Sequence, residues 1–216
     1  MKFSTFYKNT EQRITDAVLS LWATGDKPVQ GYLRELFEIE KIIAKPIFQS
    51  MFPWEQSINT FGDLTQIFGS NFIDKLDAIS DKEYRFPADR NPYLHQEKSW
   101  YEALQNEKSI LVTTGTGSGK TECFMLPVLH DIHKNCPKSN GVNAIFLYPL
   151  NALIGSQRKR MHAWCEALGT INYAVYNGNT PESVSNRDAR KALPELISRE
   201  DIRRTPPQVL FTNPTM

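Results

Sequence analysis

Hydrophobic residues in the first part of the chain recur at the spacing of amphipathic helices. The first apolar stripe consists of Ile14, Ala17, Val18, Leu21 and Trp22. A second stripe covers residues 32–43, and shorter helical patterns start near Asn59 and Ser70, with Gly69 as a stop between them. These patterns predict several helices, which we assign to an accessory domain over residues 1–90.

Beyond residue 90 the pattern changes to short apolar runs that alternate with helical segments. Pro87 and Pro92 mark the boundary, because neither proline can continue a helix. The predicted strands cover residues 109–113, 144–148, 172–176 and 208–212. The predicted helices cover residues 96–105, 122–134, 152–168 and 182–203. Strands that alternate with helices pair in parallel, so we predict an α/β fold over residues 91–216, preceded by an all-helical N-terminal domain.

A glycine-rich segment joins the first predicted strand to the helix that follows. It reads Thr114-Gly115-Thr116-Gly117-Ser118-Gly119-Lys120-Thr121. A turn of this kind directs backbone N–H groups and the positive end of the helix dipole at one point, where a phosphate group binds. Thr114 stands where the strict pattern has glycine, so the match rests on the other glycines and the Gly-Lys-Thr end. We expect Lys120 to contact nucleotide phosphates and Thr121 to hold Mg²⁺; a purely structural turn is the alternative.

Further polar motifs are predicted at the same edge of the sheet. The side-chain amide of Gln96 has a donor and an acceptor that match the edge of adenine, so we expect it to select ATP; an exposed glutamine at a helix start is the alternative. Turns follow the other predicted strands, at the edge where parallel sheets bind ligands. They are Tyr148-Pro149-Leu150-Asn151, Tyr176-Asn177-Gly178-Asn179-Thr180-Pro181 and Thr212-Asn213-Pro214-Thr215. Each turn alone is typical of a simple connection.

Taken in order, these motifs resemble those of the first RecA-like domain of superfamily 2 DEAD/DEAH-box helicases. The resemblance covers residues 92–216. The Tyr-Pro-Leu and Asn-Gly-Asn-Thr-Pro versions are most similar to those of large bacterial DExH helicases that repair or process DNA, including helicases of anti-phage defence systems such as Druantia. The resemblance therefore implies a P-loop, RecA-like parallel sheet.

The resemblance also implies ATP and Mg²⁺ as cofactors and one nucleic-acid strand as a partner, with DNA favoured over RNA. The implied cofactor-binding residues are Gln96, Thr116, Gly117, Ser118, Gly119, Lys120 and Thr121. Lys120 and Thr121 would act in catalysis, with Thr121 on Mg²⁺. The implied contacts to the strand backbone are Pro149, Leu150, Asn151, Gly178, Thr212, Asn213 and Pro214. Many relatives carry Arg or Lys in place of Asn151, so this phosphate contact should depend less on salt.

In the family, the segment after Thr-Asn-Pro leads to an Asp-Glu pair, and a second RecA-like domain supplies an arginine. The sequence reaches Met216 before either feature, so the first domain is truncated before the Walker B motif. We therefore expect the chain to be the N-terminal part of an ATP-dependent helicase or translocase. This part alone should bind ATP weakly and be inactive. The remainder of a longer chain, or other proteins of the same system, would be its partners. The alternative is a nucleotide-binding interaction module without motor activity.

Composition and charge narrow these expectations. The formal net charge is only +1, so a nucleic-acid contact must be a local groove. The sequence has no signal-peptide core and no apolar run of membrane-spanning length, which predicts a cytoplasmic protein without a membrane partner. We interpret the cysteines as reduced packing thiols.

Three smaller features each have a simple structural interpretation. His130 and His133 lie one helical turn apart without an evident third metal ligand, which favours an ordinary helix face. The cluster at residues 158–160 is basic and either steers nucleic acid or forms a solvated helix face. The aromatic residues near Phe48, Phe52 and Trp54 are expected to lie mostly in a core, with a docking surface as the alternative.

Overall fold

A computed structural model of the chain describes residues 3–47, 53–137, 141–149 and 151–214. The chain divides into two compact units, residues 1–52 and 53–216. Within its described residues, the first unit contains the helices α1 (Phe3–Trp22) and α2 (Lys27–Ile39). Asp26 caps α2, because its side chain accepts a hydrogen bond from the backbone N–H of Val29. Phe48 and Phe52 lie outside the described residues.

The division between the units falls after residue 52, so residues 53–90 belong to the second unit, whereas the predicted helical domain covers residues 1–90. This segment forms a 3₁₀ turn (Phe61–Asp63) and the helices α3 (Thr65–Phe68) and α4 (Ser70–Asp77). The rings of Phe61 and Phe68 lie 6.1 and 5.3 Å from the ring of Trp100, within one hydrophobic core. Helical periodicity identified these helices, but burial of their apolar faces decides which unit they join.

The second unit has an α/β fold, in agreement with the predicted fold class. Its remaining elements are α5 (Leu94–Leu104), α6 (Lys120–Asn135), β1 (Ala144–Leu147), α7 (Asn151–Leu168), β2 (Tyr173–Val175), α8 (Asn186–Ala192), β3 (Glu195–Leu196), α9 (Arg199–Arg204) and β4 (Val209–Thr212). The strand order is β1-β4-β2-β3, and every strand pair is parallel. The carboxyl ends of β1, β4 and β2 therefore meet at one edge of the sheet. Within the described ranges, none of the helices is both long and apolar enough to cross a membrane.

The strand predicted at residues 109–113 is wrong, because this segment is irregular in the structure. A strand is stabilised by hydrogen bonds to neighbouring strands and by burial of its faces. In the described part of the sheet β1 pairs with β4, and residues 109–113 pair with no strand. Leu111 is 91% exposed, so apolar sequence alone did not produce a strand here.

The single helix predicted over residues 182–203 is also wrong. The segment forms α8, β3 and α9 instead. Pro194 cannot continue a helix, since it lacks a backbone N–H and its ring clashes with the preceding turn. The residues after it pair with β2, with Tyr173 opposite Glu195. The carboxylate of Glu195 is buried and accepts hydrogen bonds from Arg158 and Tyr173, which fixes this short strand.

The two histidines of α6 pack against neighbouring elements: His130 is buried and His133 is half-buried. The ring of His130 lies edge-on to Phe68 and Phe72, with centroids 5.5 and 5.2 Å apart. Nδ1 of His133 lies 2.7 Å from Oγ1 of Thr170. Burial lowers the pKa of both imidazoles, because the charged form loses its hydration.

We predict that replacing Trp100 with alanine destabilises the second unit by about 3–5 kcal/mol. The indole is fully buried and donates a hydrogen bond from Nε1 to the carbonyl of Glu122, at 2.9 Å. Urea denaturation followed by circular dichroism measures the change in free energy of unfolding. Trp22→Ala is the matched control, because Trp22 is 77% exposed, and it should change stability by less than about 0.5 kcal/mol. Equal effects of the two substitutions would contradict the described core.

We also predict that stability falls as the pH is lowered from about 7.5 to 5.5. The pKa of His130 is below its ordinary value of 6.5 in the folded state, so the unfolded chain binds a proton first. Proton uptake by the unfolded state favours unfolding, by up to about 1.4 kcal/mol per pH unit for one group. His130→Leu should flatten the dependence of unfolding free energy on pH, leaving a smaller slope from His133. An unchanged slope in this variant would disprove the assignment.

Candidate functional site

The predicted phosphate loop turns directly into the N-terminus of α6. Gly119 is the N-cap residue, with φ of 74°, and Gly117 has φ of 79°. These left-handed conformations favour glycine strongly over residues that carry a Cβ. Ser118 is fully buried, and its Oγ lies 2.5 Å from Oγ1 of Thr114, which closes the loop across its base.

Side chains of helix α5 hold this loop by donating hydrogen bonds to the backbone carbonyls of the loop. His95 donates from Nε2 to the Ser118 carbonyl at 2.8 Å, and Gln96 donates from Nε2 to the Gly119 carbonyl at 3.0 Å. Trp100 extends this pattern into the first turn of α6 through its bond to the Glu122 carbonyl. Because these carbonyl oxygens are satisfied by α5, they are not presented to an anion at the mouth of the loop.

Gln96 is therefore a structural contact of the loop as well as the residue predicted to bind adenine. Its side chain is fully buried, and its Oε1 accepts a hydrogen bond from the Tyr93 N–H at 2.9 Å. A Cβ atom at Gly119 would collide with Gln96 Nε2, so the close approach of α5 requires glycine at this position. Adenine recognition by Gln96 stays a prediction. It requires the base to contact an amide that is fully buried in this structure.

Lys120 lies across the loop rather than away from it. Its ammonium donates to the carbonyls of Thr114 and Gly115, at 2.7 and 2.6 Å. Thr116 and Gly117 are exposed at the tip, and Thr121 is half-buried in the first turn of α6. An ammonium group, exposed loop residues and a helix N-terminus form a donor set that fits a polyphosphate.

An acidic residue beside the loop was missed by sequence reasoning. Glu122 is buried, and Oε1 lies 3.2 Å from a guanidinium nitrogen of Arg160 on α7. The ion pair joins the helix that follows the phosphate loop to the helix that follows β1. Its only signal in the sequence is the position of Glu122 directly after Thr121.

Residues from the motifs that are predicted to contact a nucleic-acid strand meet at the carboxyl edge of the sheet. Leu147 at the end of β1 is in register with Thr212 at the end of β4. Immediately beyond them, Asn213 donates from Nδ2 to Oδ1 of Asn151 at 2.7 Å. The Thr212 hydroxyl donates to the carbonyl of Tyr176, at 3.0 Å, and so joins β4 to the end of β2. The fold thus brings together three motifs that are far apart in the sequence.

The remaining predicted strand contacts lie at the surface of this edge. Pro149, Gly178 and Pro214 are exposed, whereas Leu150 lies outside the described residues. The turn that carries Gly178 is fixed by Arg199, whose Nε donates to the Thr180 carbonyl at 3.1 Å. Sequence reasoning also missed the role of Arg199, because its charge is one of many in a polar segment.

The basic cluster at residues 158–160 is partly committed to internal contacts. Arg158 Nε lies 2.8 Å from the Glu195 carboxylate, and this hydrogen bond raises the pKa of Arg158. Arg160 pairs with Glu122 and lies over the ring of Trp164, 5.8 Å from its centroid. The guanidinium groups therefore connect α7 to other elements of the fold, although Arg158 and Lys159 are both exposed.

Comparison with known proteins gives a consistent result. The sequence profile of the DEAD/DEAH box helicase family matches residues 93–215. The chain is similar to the Druantia protein DruE of Escherichia coli (strain UMEA 4076-1), with 34% identity over 130 residues, covering 52% of this chain and 7% of that protein. It is also similar to the uncharacterized ATP-dependent helicase YprA of Bacillus subtilis (strain 168), with 32% identity over 111 residues, covering 51% of this chain and 14% of that protein.

A solved structure shares the fold. The crystal structure of the DUF1998 helicase MrfA bound to DNA and AMPPNP aligns with a TM-score of 0.51 and 22% identity, covering 85% of this chain and 22% of that chain. The chain therefore spans only a small part of the length of these relatives. The family profile covers more than half of the chain and includes the phosphate loop and the three turns at the sheet edge. On this evidence the chain belongs to the DEAD/DEAH box helicase family.

Proposed function

We propose that the chain is the nucleotide-binding part of an ATP-dependent helicase or translocase that also contacts one nucleic-acid strand. The observation that carries this proposal is the arrangement of the phosphate loop. Side chains of α5 hold the carbonyls of residues 118, 119 and 122, while Lys120 lies at the mouth of the loop. This leaves the helix N-terminus and an ammonium group to bind an anion.

In this proposal, phosphate oxygens of ATP replace the loop carbonyls as the acceptors of the Lys120 ammonium. The exchange is favourable because an ammonium–phosphate bond joins two full charges, whereas a carbonyl is neutral. The Thr121 hydroxyl would hold Mg²⁺, which neutralises phosphate charge when it is bound. Thr116, Gly117 and Ser118 would supply the loop backbone, and Gln96 would select adenine.

The nucleic-acid strand would lie along the turns that follow β1, β2 and β4. The bond between Asn151 and Asn213 fixes two of these turns against each other, so their exposed prolines and backbone form one surface. Contacts of this kind hold the sugar-phosphate backbone without reading its sequence. We propose DNA as the strand, and the similarity to MrfA, which was solved bound to DNA, supports this choice.

The setting of the whole protein is also part of the proposal. We propose that the chain is part of a longer protein, since it covers only 7% of the Druantia protein DruE, and that this protein acts in anti-phage defence in the cytoplasm. That longer chain would supply the acidic pair and the second motor domain that ATP hydrolysis requires.

For the intact protein, we predict that Lys120→Ala lowers nucleic-acid-stimulated ATP hydrolysis at least about 100-fold, since it removes the ammonium that stabilises phosphate charge in the transition state. A steady-state phosphate-release assay with single-stranded DNA measures this effect. Lys134→Ala is the control, because Lys134 is exposed in the last turn of the same helix, and it should keep wild-type turnover. Unchanged turnover in Lys120→Ala would refute the assignment of the ATP site to this loop.

We further predict that Asn151→Arg makes binding of single-stranded DNA more dependent on salt, even though it removes the oxygen that accepts the hydrogen bond from Asn213. Each added phosphate contact steepens the slope of log affinity against log salt concentration by about 0.7 for single strands. Fluorescence anisotropy with a labelled oligonucleotide at several salt concentrations measures the slope. Asn71→Arg adds the same charge at an exposed position of α4, beside His133 at the far end of α6, and should leave the slope unchanged. An identical response of the two variants would place the strand elsewhere.

A further inference from the structure

Trp54 contacts the phosphate loop, although it lies outside the segment that matches the family profile, residues 93–215. A Cβ atom built on Gly115 would lie 3.0 Å from Trp54 Cη2 and 3.1 Å from Cζ2. These separations are shorter than ordinary van der Waals contacts, so the indole occupies the space that any larger residue at position 115 would need. Gly115 itself has no positive φ, so it is the tryptophan, and not the backbone conformation, that crowds a side chain here.

The indole is held in this place by a short pairing of two chain segments. Gln56 and Tyr93 form an antiparallel bridge, flanked by hydrogen bonds of 2.8 Å from Leu94 N–H to the Glu55 carbonyl and from Ser57 N–H to the Pro92 carbonyl. The bridge places residues 54–57 beside the start of α5. Trp54 is therefore carried by the same part of the fold that holds the loop carbonyls.

Glu97 of α5 anchors this segment from its other side. Its carboxylate accepts hydrogen bonds from the Ser57 hydroxyl and, at 2.8 Å, from Asn59 Nδ2. Charge-assisted hydrogen bonds of this kind are stronger than neutral ones, so the segment is fixed at both its backbone and its side chains.

Trp54 and His95 contact the loop at two neighbouring places. Their rings lie edge to face, with centroids 6.1 Å apart. The His95 ring also stacks with the ring of Tyr93, with centroids 5.7 Å apart. His95 bonds the Ser118 carbonyl, while Trp54 abuts Gly115, whose carbonyl accepts from Lys120. The two aromatic side chains thus set the positions of both ends of the loop tip.

We propose that Trp54 is a positioning residue of the nucleotide site, which holds the phosphate loop at Gly115 in the shape that receives phosphate. The inference rests on the proposed function, because it assumes that the loop binds ATP. When phosphate enters, Lys120 leaves the Gly115 carbonyl, which lies beside the indole, while the loop keeps its shape. The environment of Trp54 therefore changes on binding, and the loop cannot adopt its shape if the indole and residue 115 compete for space.

The test is a double-mutant cycle for binding of MgATP, measured by isothermal titration calorimetry. Gly115→Ala should raise the Kd about tenfold when Trp54 is present, and by less than about twofold in the Trp54→Ala background, because coupling of this size is typical of residues in contact. Gly155→Ala in α7 is the matched control, since its Cβ would meet nothing within 4 Å, and its effect should be small in both backgrounds.

Tryptophan fluorescence supplies a second measurement. Titration with MgATP should change the emission of the wild type, with the same Kd as calorimetry, and Trp54→Phe should lose this change while circular dichroism stays that of the folded protein. Trp100 and Trp164 are buried in the core, so they should contribute little.

The outcomes separate the two proposals. Absence of MgATP binding by the wild type would overturn the proposed function and this inference with it. Normal wild-type binding that Lys120→Ala abolishes, combined with an equal effect of Gly115→Ala in both backgrounds, would overturn the role of Trp54 alone. Retention of the fluorescence change in Trp54→Phe would have the same meaning.

Discussion

The hydrogen bond from Gln96 to the carbonyl of Gly119 is the contact on which the candidate site depends. It joins the start of α5 to the start of α6, and the Gln96 side chain that donates it is fully buried. A buried amide that lost this partner would keep the cost of its desolvation without compensation, so the bond holds the two helix starts together. The conformations of Gly117 and Gly119, the direction of the loop carbonyls and the placement of Lys120 all follow from this fixed distance.

Much of the second unit could be predicted because its signals are local. Short runs of residues encode the glycine-rich loop, the helix after it and the strands β1, β2 and β4. In each run, the spacing of apolar residues or glycines indicates a buried face or a turn. The grouping of Asn151, Thr212 and Asn213 also followed from sequence, since parallel strands necessarily present their carboxyl ends at one edge. In these places the local pattern and the tertiary fold agree.

The incorrect predictions have physical causes of a different kind. Pro194 carried a clear local signal against one long helix, and the charged residues around it were given too much weight. The segment at 109–113 carried no such signal, because an apolar run becomes a strand only if a neighbouring strand pairs with it. The position of Trp54 against Gly115 depends on a bridge between distant segments, and single-sequence patterns do not encode such contacts.

Strand β1 has exposed aliphatic side chains at the margin of the described sheet. Ile145 and Leu147 are each 61% exposed, on a strand whose described pairing partner is β4 alone. Aliphatic side chains and free backbone groups along such a margin attract any extended chain of matching polarity. Concentrated solutions of the isolated polypeptide are therefore prone to self-association by way of this margin, and a lysine in place of Ile145 is the natural means of keeping it soluble.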